Sequence, residues 1–158
     1  MRTLFFSLFL ILPSLLFATV LTGQVVKITD GDTFVLLDKN RNQIKIRLDG
    51  IDAPEKNQAY GNKAKQYLSS MIWGVLVKVN VTKKDRYGRS IGKVSTAKFK
   101  DVNLEMIKAG YAWHYKEYNQ DKSYASAETN ARKKKLGLWQ DKNPVYPQNF
   151  RKKKKKNK

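Results

Sequence analysis

The apolar residues of this chain change their spacing twice, and that change limits the folds open to it. In "IKIRL" the alternation is strict: Ile44, Ile46 and Leu48 share one face, while Lys45 and Arg47 share the other. From Ala64 the period becomes helical, with Ala64, Tyr67, Leu68, Met71 and Ile72 forming one stripe that Gly74 ends. Alternation then returns through Val75, Val77, Val79 and Val81. Such a chain builds a sheet from strands on both sides of an inserted helix.

The flanking segments extend this pattern. "GQVVKIT", the turn "DGDT" and "FVLL" precede the "DKNRNQ" turn, so three strands open the body as a meander. "KKDRYGR" turns the chain into a fifth strand near "SIGKVS". "DVNLEMIKAG" predicts a short helix capped by Asp101 or Asn103 and closed by Gly110. A last helix is expected from Lys122 to Lys135, with Asp121 as its cap and Gly137 at its end. The order β-β-β-α-β-β-α-α predicts a five-stranded OB-fold barrel with about three helices, whose loops and outer face bind strands of nucleic acid.

Residues 1–18 read differently, as Arg2 followed by the apolar run "LFFSLFLILPSLLFA", which predicts a signal peptide and export to a secreted, periplasmic or cell-surface location. An uncleaved N-terminal anchor is the alternative. The barrel domain is expected over 19–145. Removing residues 1–18 takes away Arg2 and no acid, so the remaining net charge is +18, one less than the +19 of the whole chain. "RKKKKKNK" at the end carries seven of those charges and predicts, within residues 146–158, a basic disordered tail. The excess favours a polyanionic partner, nucleic acid or an anionic membrane surface.

Against 32 Lys and Arg stand only 13 Asp and Glu, yet several of these cluster. Asp30 and Asp32 flank the glycine of "DGDT", Asp49, Asp52 and Glu55 lie in "RLDGIDAPEKNQ", Arg47 opens that stretch, and Arg89 closes "DRYGR". With no cysteine and the single histidine His114, the set suits a hard cation held by oxygen, calcium or magnesium, better than zinc. A cation and arginines offset the charge that grows on a phosphodiester under attack, and a spare carboxylate can deprotonate water. Proline after Ala53 favours extended backbone there, which makes the Ala53 carbonyl a plausible ligand. Asp30 and Asp49 read as supporting or turn residues, Asp85 and Arg86 as a solvated turn, and Trp73, Trp113 and Trp139 as core or rim packing.

In this order, "DGDT", "IRLDGIDAPE", "DRYGR", "GYAWHY" and "KKKLGLW" closely resemble the staphylococcal nuclease (thermonuclease) family over about Gly23 to Trp139. The resemblance implies a calcium-dependent endonuclease of DNA and RNA that leaves 3′-phosphate ends, with single-stranded or frayed substrate preferred and no obligate protein partner, acting as a monomer. By motif, Asp32 and Asp52 would ligate Ca2+ with the carbonyl of Ala53. Arg47 would hold the scissile phosphate, Glu55 would act as general base, and Arg89 would assist the leaving oxygen. Tyr87 and one of Tyr115 or Tyr118 would face a terminal phosphate or base. Ala53 stands where the best-known member has threonine, and "KNQAY" is shorter than that member's mobile loop. The alternative is a catalytically inactive OB-fold protein that binds nucleic acid or a membrane surface.

Overall fold

The computed structural model describes residues 19–156; the expected signal peptide at residues 1–18 lies outside them. Strands β1 (Thr19–Ile28), β2 (Thr33–Asp38) and β3 (Gln43–Leu48) form the expected meander, followed by the two-residue β4 (Ile51–Asp52) and helix α1 (Gly61–Ile72). Next come β5 (Leu76–Lys84), β6 (Ser90–Ser95), α2 (Val102–Lys108), the short β7 (Trp113–His114) and α3 (Lys122–Lys133). A 3-10 turn over Gly137–Gln140 leads to α4 (Pro147–Lys156).

The five long strands close into a barrel in the order β1-β2-β3-β6-β5. Every pairing is antiparallel except β3 with β6, where Ile46, Arg47 and Leu48 run parallel to Ser90, Ile91 and Gly92. Irregularities at Val25/Lys27 and Val81/Lys83 sharpen the strand bends that closure needs. This is the expected five-stranded OB-type barrel with helices, four among the described residues rather than about three.

Alternation places Phe34, Leu36, Ile46, Leu48, Val77, Val79 and Val94 inside, all essentially inaccessible to solvent. Leu68 and Ile72 of α1 and Met106 and Ile107 of α2 cover the same core. Val75 departs from its expected face, because β5 begins one residue later and Val75 stays exposed. Trp73 is likewise exposed rather than packed, whereas Trp113 and Trp139 meet edge to face with Arg132 over both rings. Helix α3 stops at Lys133, two residues short of the expected end, and Lys135 takes a positive φ before Gly137.

The disordered tail expected from residue 146 is corrected: Pro147–Lys156 is helical. Pro147 is buried in the first turn, a position that suits proline because the amide it lacks would have no helical partner, and the lysines fall near the C-terminus, where the helix dipole favours them. The lysine run dominates the composition and conceals this helix.

Of the two candidate caps for α2, Asp101 accepts from the Leu104 amide at 2.9 Å. Asn103 is fully buried and does something else: its Oδ1 accepts from the Val94 amide at 3.0 Å, while Nδ2 donates to the carbonyls of Asp49 (2.9 Å) and Gly92 (3.1 Å). It thereby fastens α2 to β6 and to the chain leaving β3, next to the acidic segment. Replacing it with alanine strands buried polar backbone, so Asn103→Ala is expected to cost about 2–3 kcal/mol in urea unfolding. A midpoint equal to that of the unchanged chain would contradict this role.

Candidate active site

The "DGDT" turn delivers Asp32 to the barrel rim just before β2. Gly31 is needed there because a Cβ would come within 2.7 Å of the Ala64 Cβ and 2.8 Å of the Ala53 Cβ. The turn is thus pressed between α1 and the segment after β4. Asp32 is buried; its Oδ1 accepts from Thr33 Oγ1 at 2.9 Å and meets Arg47 Nη1 at 2.6 Å, and its Oδ2 accepts from the Ala53 amide at 3.0 Å. Burial alone would raise its pKa, but the Arg47 charge, the Ala53 amide and the Thr33 hydroxyl together hold it below the ordinary value.

Arg47 reaches the same place from the outer face of β3. Its second nitrogen, Nη2, donates to Asp52 Oδ1 at 3.0 Å and to the Ile51 carbonyl at 3.3 Å, so one guanidinium bridges two buried carboxylates. Asp52 is fully buried on β4, which pairs with β7. Burial pushes its carboxyl up, and the Asp32 charge adds to that push; Arg151 and Arg47 offset only part. Asp30, whose Oδ1 accepts from the Asp32 amide, is raised to about 7, first by burial and then by the Asp32 charge. The Asp32 charge thus presses on both Asp30 and Asp52, although cationic side chains outnumber acidic ones over the surrounding pocket.

An open groove of about 930 Å³ lies over these groups. Its floor includes Asp30, Asp32, Arg47, Ala53 and Glu55, and its far wall is the turn carrying Arg89 and Tyr87. Tyr115 and Tyr118 both line it, their rings 4.7 Å apart at a steep angle. The expected catalytic and substrate residues therefore share one concavity. Asp52 is the exception among the expected ligands, since it does not reach the groove.

Two participants, Asp85 and Arg151, escaped the reading from sequence. Asp85 is no free turn residue, because it accepts from Arg89 Nε at 2.7 Å and from the Arg89 amide at 3.0 Å, aiming that arginine into the groove. The signal was present in the spacing: an acid four residues before an arginine across a Gly-containing turn. Asp30, expected as a supporting or turn residue, lines the groove from the turn. Arg151 of α4 was assigned to the tail, yet Nη2 donates to Asp52 Oδ2 at 2.9 Å, and Nη1 donates to Asp52 Oδ1 at 3.2 Å and Glu55 Oε1 at 2.8 Å. His114 is structural, with Nε2 2.9 Å from the Asn119 carbonyl.

A hard cation needs free oxygen lone pairs at this site. Each carboxylate oxygen has about two acceptor positions. On Asp32, Oδ1 engages Arg47 and Thr33 while Oδ2 engages only the Ala53 amide. On Asp52, Oδ1 engages Arg47 and Arg151 while Oδ2 engages only Arg151. One position is left on each Oδ2. Among the described residues no three acidic or imidazole side chains gather as a ligand group, so backbone carbonyl and water would complete the shell, as oxygen-binding divalent cations permit. The donor chemistry fits calcium or magnesium.

Arg47 also decides the stability of the rim. Without it, Asp32 and part of Asp52 lie buried beside excess negative charge, so Arg47→Met in metal-free buffer should lose about 3 kcal/mol of unfolding free energy. Unchanged stability would show that the carboxylates do not depend on the bridge.

Comparison with known proteins matches residues 45–141 to the family described as Staphylococcal nuclease homologue. An "Uncharacterized endonuclease" of Haemophilus influenzae is 46% identical over 136 residues, covering 86% of this chain and 76% of that protein. A similarly named protein of Escherichia coli O157:H7 is 42% identical over 125 residues, 79% of this chain and 81% of the relative. A "Micrococcal nuclease" of Shigella flexneri is 38% identical over 139 residues, with 82% and 79% covered.

Proposed function

Since this chain belongs to the staphylococcal nuclease family, we propose that it is a hydrolytic nuclease that uses calcium to cleave phosphodiester bonds of DNA and RNA, leaving 3′-phosphate ends. The observation that carries this reading is the convergence of Glu55, Arg47 and Arg89 on one open groove whose floor holds Asp32.

Each residue has a task there. Arg47, already locked by Asp32 and Asp52, offers its guanidinium to a phosphate without first having to be ordered, which suits the stabilisation of growing negative charge. Arg89, fixed by Asp85, stands on the opposite wall to receive charge on the leaving oxygen. Glu55 takes the proton of the attacking water. Asp32, Asp52 and the Ala53 carbonyl would hold calcium, which when bound supplies positive charge against the scissile phosphate. Tyr87, Tyr115 and Tyr118 offer ring faces and hydroxyls to the nucleotide beside the cut, and the surrounding lysines hold the backbone by charge.

An open groove suits single-stranded or frayed substrate. The apolar run in residues 1–18 supports export, and the reading needs no partner beyond a monomeric chain. An inactive binding protein would have no need of Glu55 and Arg89 in one groove with Arg47.

Incubation with single-stranded DNA, in calcium or in chelator, should give calcium-stimulated cutting with 3′-phosphate termini; no calcium stimulation would overturn the reading. Glu55→Gln should lower kcat by about 10²-fold or more with KM within about threefold, as expected for loss of a general base. Equal losses in kcat and substrate affinity would remove Glu55 from that role. Asp85→Ala, which frees Arg89 without touching the floor, should lower kcat by about tenfold, the cost of disordering one charge-assisted contact. Full activity would show that Arg89 needs no such support.

A further inference from the structure

Helix α4 lies beyond the residues matched to the family, yet it places a guanidinium against the residues that the proposed function gives to the metal and the base. Arg151 grips both oxygens of Asp52 and one oxygen of Glu55. Asp52 has no solvent-accessible side chain and no share of the groove, and Arg151 lies between the two. The same contact occupies Glu55, which as general base needs a free carboxylate. With Arg151 in place, a divalent cation approaching Asp52 meets a fixed positive charge and a carboxylate with one acceptor position left.

We propose that Arg151 is a tethered competitor for the metal cation, so that α4 closes the site as an autoinhibitory strap and calcium binding releases it. This inference rests on the reading of Asp52 as a calcium ligand.

The attachment of α4 is suited to release. Its buried attachment lies in its first turns, while Lys152 and Lys155 only edge the groove: Pro147 is buried, Phe150 lines a small cavity with Pro54 and Trp113, and the preceding Tyr146 packs edge-on against Trp113 at 5.0 Å. Gln58 Nε2 donates to the Val145 carbonyl at 2.6 Å just before the helix. Beyond Arg151, Lys152 to Lys156 are exposed and repel one another at helical spacing. The ion pairs of Arg151 with Asp52 and Glu55 therefore offset a helix that is weak by itself. Once released, the same lysines would be free to lie along a polyanion.

The magnitude follows from population. If α4 is docked in about nine molecules of ten, calcium binds about tenfold more weakly than to the undocked chain. Calorimetric titration of the full chain with calcium alone, without nucleic acid, reads this directly. Arg151→Gln should bind calcium about tenfold more tightly than the unchanged chain, while Lys153→Gln, which removes equal charge from the same helix outside the groove, should stay within about twofold. In the unchanged chain, calcium should also strip amide-exchange protection from residues 147–156. Equal or weaker binding by Arg151→Gln, an equal gain in Lys153→Gln, or undiminished protection of α4 with calcium bound would each overturn the strap. If calcium binding is measurable and unaffected by Arg151→Gln, the strap fails and the calcium reading stands. If none of the three chains binds calcium, both fail together.

Discussion

One guanidinium holds the rim of this barrel together. Arg47 leaves the outer face of β3 and meets Asp32 at 2.6 Å and Asp52 at 3.0 Å, linking the turn before β2 to the short strand β4. Carboxylates as deeply buried as these survive only when paired and hydrogen-bonded, and here the Ala53 amide and the Thr33 hydroxyl supply what Arg47 does not. The parallel pairing of β3 with β6 puts Ile91 beside Arg47, so the arginine is carried on a strand braced on both edges. Rigidity of the site is thus inherited from closure of the barrel.

The second constraint is charge. A chain of net charge +19 draws a polyanion to its surface, but the acidic floor would repel each phosphate that reached it. Arg47, Arg89 and the lysines around the groove resolve that conflict by setting positive charge between floor and visitor. A divalent cation at the two partly free Oδ2 positions would complete the balance, and in its place α4 presents Arg151.

The barrel was legible because strands announce themselves through a period of two and α1 through a period of 3.6, signals that survive without knowledge of partners. Asp101 was legible for the same reason, since capping is local. Asn103 was not, because it binds Asp49 and Gly92, 54 and 11 residues away. The candidate site residues were named through motif order, and the groove gathers all of them except Asp52. What the sequence hid was how they are restrained: Asp85 behind Arg89, and Arg151 over Asp52, 99 residues away and inside a lysine run that reads as solvent-exposed tail. Val75 and Trp73 misled because their apolar character carries no mark of lying at the edge of the barrel.

The central claim is that Asp32 and Asp52 form one half of a cation site that Arg47 preorganises. Crystals of the chain grown with calcium, measured for anomalous scattering, test it most directly. The account predicts a calcium peak within ligand distance of an Oδ atom of both aspartates, with Arg47 still bridging them. A peak bound elsewhere on the protein, or an Arg47 detached from both carboxylates, would contradict it.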